Sequence, residues 1–176
     1  MTETEMDLGE MLDRCRALEC RSAALYRSFA AAAHDQPELS AFWTDMARDE
    51  DQHSRILDEA RARLPTVDAW LTHISVKWPE VVRDVGTQLS TAELLTGGTD
   101  TDEQLAAALE LEMTELEPLR QMLVSVSRHR PPRPVGEVHA LRLVEGAERF
   151  SSDSRVRQLA ALLRSRHCPA AGHSHT

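Results

Sequence analysis

Glycine is scarce in this chain, at 7 residues in 176, and aromatic side chains make up only 4 %. Sheet-rich folds lean on glycine turns and on aromatic and β-branched strands, so both shortages argue against them. Cysteine is limited to Cys15, Cys20 and Cys168. The number is odd and no two are spaced as a metal knuckle, which excludes a disulfide framework. A basic face is missing as well: the formal net charge is −9 and Lys77 is the only lysine. Nucleic acid and anionic membrane surfaces are therefore excluded as expected partners. No apolar run is long enough to span a bilayer. The opening MTETEMDLGE is acidic and lacks the apolar core of a signal peptide. The expectation is a cytoplasmic protein with reduced thiols.

What remains is dominated by Ala, Leu, Glu and Arg, the residues that favour helix. The length suits one domain with a real core, expected over residues 1–166 with a flexible, histidine-bearing tail at 167–176. Helix one is expected from Asp7 to Ala33, with Leu8, Met11, Leu12, Cys15, Leu18, Ser22, Leu25 and Phe29 as its inner stripe. His34-Asp35-Gln36-Pro37 is a tight break, and Pro37 suits the first turn of a helix that runs to Leu64 before Pro65. So short a link makes these two helices antiparallel neighbours. Residues 65–100 carry a weaker apolar pattern, from Trp70 to Leu89, that fits one or two short helices in a crossover. Gly97-Gly98 stops it, and Thr101 with Gln104 opens helix three, to Val126, with Pro118 expected to kink it. After HRPPRP, helix four is expected from Val138 to Arg166, on a stripe of Val138, Leu141, Ser152, Val156, Leu159 and Leu163.

Each stripe is interrupted by acid. On helix two, Glu50 and His53 stand where apolar residues belong, between Met46 and Leu57. Three residues apart, they share a face and can hold one ion. A buried carboxylate without a partner costs several kcal/mol, and a metal ion is the simplest remedy. Glu19 interrupts helix one and Glu112 helix three, while Glu145 and Glu148 fall on the expected face of helix four. The spacing nearly repeats: Glu19 to Glu50 is 31 residues and Glu112 to Glu145 is 33. A duplicated helical hairpin would bring all six groups to one depth, with the oxygen and imidazole donors a di-iron carboxylate site needs. For Glu145 and Glu148 a second reading stands beside this one: a solvated face paired with arginines such as Arg142 and Arg149. Tyr26 reads as a core residue or as a hydrogen-bond partner of a ligand.

Through Glu19, the Glu50-Asp51-Gln52-His53 run and Glu112, the chain resembles the ferritin-like superfamily, and within it the rubrerythrin-type proteins. The resemblance spans about residues 7 to 165. It implies an all-α, ferritin-like four-helix bundle with a long crossover between helices two and three. It implies a non-haem di-iron oxidoreductase reacting with oxygen or peroxide, with iron, manganese or a mixture as cofactor. Glu19, Glu50, His53, Glu112, Glu145 and Glu148 would be the metal ligands. Family members carry Glu-x-x-His on helix four, where this chain shows Glu145-Gly146-Ala147-Glu148. It has no Cys-x-x-Cys iron motif either, so the electron donor would be external. Three alternatives stay open: a di-metal centre, a single ion on Glu19, Glu50 and His53, and a helical module without a centre that acts in binding or assembly. A homodimer is compatible with each.

Overall fold

A computed structural model describes residues 8–63, 78–95, 100–126 and 135–167. Six helices account for nearly all of them: α1 (Leu8–Ala32), α2 (Pro37–Ala62), α3 (Trp78–Glu93), α4 (Thr101–Val126), α5 (Val135–Phe150) and α6 (Ser154–His167). No strand occurs among the described residues. No described helix is long and apolar enough to cross a membrane. Trp70 with the rest of 64–77, and residues 96–99, 127–134 and 168–176, lie outside the described residues, as do the side chains of Leu116, Leu119, Leu123 and Val126.

The helices α1 and α2 form the expected hairpin. Pro37 occupies the first turn of α2, where a missing amide donor costs nothing. Ser40 Oγ donates to the Ala30 carbonyl at 2.9 Å and ties the two ends of the turn. The ladder of partners then runs antiparallel, through Arg27–Asp51, Glu19–His53, Arg16–Asp58 and Asp13–Arg61. The same logic orients α5. Its Arg149, Gly146 and His139 meet Glu38, Phe42 and Asp49 of α2 in reverse order. Against α4, Ser151 just beyond α5 meets Asp102, and His139 meets Glu112, again antiparallel. Hence α2 and α4 run in the same direction, and the chain between them must travel the length of the bundle. That is the long crossover. Helix α3 lies on this path and packs on α1 and α4 with Val85, Leu89 and Ala92 inward. The Arg21 guanidinium holds it through Glu93 at 2.8 Å and Ser90 at 3.0 Å.

Helix four is not one helix. The chain leaves the helical path at residues 151–153 and restarts as α6. Asp153 Oδ1 accepts the amides of Arg155 and Val156 at 2.8 and 3.1 Å, the geometry of an N-cap. Ser151 Oγ accepts the Asp153 amide at 3.0 Å and bonds Asp102 of α4. The Ser151-Ser152-Asp153-Ser154 run is a helix-start signal that the apolar period, carried straight through it, concealed. This break sets the phase of α5 independently of α6. The inner face of α5 is His139, Ala140, Leu143, Val144 and Ala147, while Val138 is 46 % exposed. The expected stripe was therefore one residue out of phase before the break.

The core joins all the helices. Leu25, Tyr26 and Phe29 of α1 pack on Leu39, Trp43 and Met46 of α2. Leu105 and Leu109 of α4, Leu143 and Val144 of α5, and Val156, Ala160 and Leu163 of α6 complete it. Tyr26 and Trp43 stack at 5.6 Å between ring centroids, and Phe29 meets Trp43 edge-on at 5.1 Å. Among the cysteines, Cys15 is buried and Cys20 exposed, without a disulfide.

Candidate metal centre

Four helices each send a polar side chain into this core at one level. On α1, Glu19 follows Cys15 by one turn and is buried, as is Ser22 one turn on. Helix α2 supplies Glu50 and His53 from adjacent turns of its inner face, between Met46 and Leu57. Glu112 of α4 is buried after Leu105, Leu109 and Leu111. The fourth contribution is His139 of α5, only 1 % exposed.

These five form two triads that share Glu50: Glu19, Glu50 and His53, and Glu50, Glu112 and His139. Within each, the possible ligand atoms all lie within 4.8 Å of one another. His53 Nδ1 is 2.9 Å from Glu50 Oε2 and 3.5 Å from Glu19 Oε2. His139 Nε2 is 3.2 Å from Glu50 Oε1 and 3.3 Å from Glu112 Oε2. The two imidazole rings stand 5.5 Å apart, edge to face.

The electrostatics are those of a site built around positive charge. Burial, with the neighbouring charge of Glu50, pushes the Glu19 carboxyl up to about 8. Burial also opposes charging of His53, but Glu19 and Glu50 override it and raise that imidazole to about 10. His139 is likewise driven well above its ordinary value, against burial, by Glu50 and Glu112. Burial disfavours ionisation of Glu50 too, yet His139 and His53 hold it well below the usual carboxylate range. The cluster thus keeps protons on its nitrogens whenever no other cation neutralises its oxygens.

Its hydrogen bonding is incomplete in a telling way. Glu19 Oε2, Glu50 Oε1, His53 Nε2 and His139 Nε2 are buried with no hydrogen-bond partner. Unsatisfied buried polar atoms are rare, and four in one cluster point to a group that satisfies them. Three hard carboxylates and two imidazoles are the donors that suit iron, manganese or zinc. The residues present therefore fit a transition-metal centre.

Glu19, Glu50, His53 and Glu112, singled out from the sequence, are brought together here. Glu145 and Glu148 are not. Both are exposed. Glu148 pairs with Arg164 at 2.8 Å. Glu145 lines a surface groove of about 450 Å³ with Glu38, Phe42, Arg142 and Arg149. The one-residue phase error on α5 is the reason: with His139, Leu143 and Ala147 inward, position 145 faces away. His139 escaped notice because the second imidazole was sought beyond Glu145 rather than before it. The repeat of His139, Ala140, Leu143, Val144 and Ala147 at helical spacing is the signal that finds it.

Gly146 lies where α5 meets α2. A Cβ there would overlap the ring of Phe42, so glycine at 146 leaves room for that ring against α5. Gly146 lies two turns beyond His139 on nearly the same face.

A family model described as Rubrerythrin matches residues 10–129, which include Glu19, Glu50, His53 and Glu112. No curated protein and no solved structure matches the chain.

Proposed function

Since the chain belongs to the rubrerythrin family of ferritin-like proteins, we propose that it is a non-haem metalloprotein whose centre is held by Glu19, Glu50, His53, Glu112 and His139. The observation that carries this reading is the pair of buried triads sharing Glu50, with four ligand-capable atoms that make no hydrogen bond. Glu50, common to both triads, would serve both cation positions. Glu19 and His53 would complete one position and Glu112 and His139 the other. Iron in such a place supplies electron transfer to oxygen or peroxide. The chain's own contribution is to bind and orient, and to exclude water: all five residues are at least 95 % buried, and Tyr26 and Met46 nearby are closed to solvent. The cysteines offer no second iron motif, so the reading includes an external electron donor.

One observation favours a smaller centre. The family's Glu-x-x-His would put a carboxylate three residues before His139, and Gly136 stands there. With three carboxylates among the described ligands, a single cation on Glu19, Glu50 and His53 is the second reading. Metal analysis of the full chain grown with iron, together with peroxide consumption under an added reductant, tests both. Two tightly held cations per chain and reductant-dependent turnover support the di-metal oxidoreductase. One cation supports the second reading. Less than one, unchanged in Glu50→Ala, overturns both and leaves a helical module for binding or assembly.

A further inference from the structure

Asp49 is not among the residues that converge on the centre, yet it touches one of them from behind. Asp49 and Glu50 are consecutive on α2, so their side chains leave the helix about 100° apart. Glu50 enters the core, and Asp49, 21 % exposed at its side chain, turns into the seam with α5. His139 lies between them. Its Nε2 faces Glu50 Oε1 at 3.2 Å, and its Nδ1 faces Asp49 Oδ2 at 3.3 Å. One turn along α5, Arg142 Nη1 donates to the same Asp49 oxygen. The imidazole is thus gripped by two adjacent residues of one helix, one on each nitrogen.

We propose that Asp49 is a positioning residue for the second cation position. It accepts the Nδ1–H of His139 and leaves Nε2 turned toward Glu50 and Glu112, while Arg142 pins its carboxylate in the seam. The proposal rests on the metal-centre reading above. A carboxylate behind a ligating imidazole fixes the tautomer, locks the ring against a flip, and raises the basicity of the ligating nitrogen. His53 has a different arrangement: both of its carboxylate neighbours, Glu19 and Glu50, meet Nδ1. Loss of Asp49 should therefore fall on one position and spare the other. A purely structural Asp49–Arg142 tether between α2 and α5 would show no such selectivity.

The test is titration of the metal-free full chain with Co(II), followed by visible absorption and equilibrium dialysis. In Asp49→Leu the second Co(II) should bind on the order of 10- to 100-fold more weakly, with the first unchanged. Asp49→Asn keeps an acceptor oxygen and should recover most of that loss. Arg142→Leu controls for the tether, since it breaks the ion pair and leaves the Asp49–His139 contact. A second Co(II) bound by Asp49→Leu with wild-type affinity and spectrum would overturn the proposal. So would equal weakening of the second Co(II) in Arg142→Leu and Asp49→Leu, with no rescue by Asn. Should the unaltered chain bind no second Co(II), the di-metal reading fails on its own. The orienting contact is then decided by ¹⁵N-resolved NMR of the metal-free protein. A slowly exchanging His139 Nδ1–H, kept in Asp49→Asn and lost in Asp49→Leu, sustains it; its persistence in Asp49→Leu removes it.

Discussion

Glu50→Gln probes the centre at the one side chain common to both triads. The substitution keeps volume and shape but removes the charge that meets His53 at 2.9 Å and His139 at 3.2 Å. A cation that binds only the native chain, at a free concentration 100-fold above its dissociation constant, adds about 2.7 kcal/mol of stability. For a chain of this size each kcal/mol moves the melting temperature by about 2–4 °C. Loading should then raise the melting temperature of the unaltered protein by roughly 5–11 °C, and chelation should reverse it. In Glu50→Gln both positions lose their shared carboxylate, so the rise should shrink to under about 2 °C. Glu112→Gln disturbs one triad and should keep an intermediate rise. The metal-free Glu50→Gln protein should itself melt lower at neutral pH, because two imidazolium groups then lose a buried counter-charge. Differential scanning calorimetry with and without chelator reads each quantity. An equal rise in Glu50→Gln and the unaltered chain would refute the shared-ligand geometry. No rise in the unaltered chain would refute the centre.

Metal-free stability should fall as pH rises. In the folded chain Glu19 is raised from 4.5 to about 8, and His53 from 6.5 to about 10. A raised folded-state value means the native chain holds the proton more tightly. The stabilisation is complete below the ordinary values, near pH 4.5 and 6.5 respectively, and is lost as pH climbs through 8 and 10. His139 acts in the same sense, while Glu50 and Asp49, both lowered, oppose it only at the acid end. Melting temperatures from pH 6 to 9 should therefore descend without metal. Metal uptake should strengthen over the same range, since it displaces those protons, and a flat metal-free profile would contradict the protonated cluster. Gly146→Ala forces a Cβ into Phe42 and should cost about 1–3 kcal/mol in denaturant unfolding. It should also weaken cation binding at Glu112 and His139 more than at Glu19 and His53. Glu145→Gln and Glu148→Gln should leave metal content unchanged and stability within about 0.5 kcal/mol, because both side chains meet solvent; loss of metal in either would restore them to the centre.

The first hairpin was legible because every signal there agreed. Pro37 marked the start of α2, the apolar stripes kept one phase, and Glu19, Glu50 and His53 stood inside those stripes rather than at their edges. Glu112 could be read the same way on α4. The second half was harder for a local reason. Ser151 to Ser154 offers the backbone its own hydrogen-bond partners, and a single helical period drawn across that run shifts every inward position of α5 by one. Glu145 and Glu148 then take the place that belongs to His139.

By itself, the order of residues determined the helices, their polarity as a hairpin and a crossover, and an acidic interruption of apolar faces that calls for a cation. Those are properties of one strand of chain: propensity, period and capping act within a few residues. Only packing decided which side chains meet. With the Phe42 ring over Gly146, the packing of α5 on α2 sets His139 against Glu50 and Asp49. No spacing along the chain encodes such a meeting, because the distance between His139 and Glu50 is set by how closely two helices can approach, and that depends on both surfaces at once.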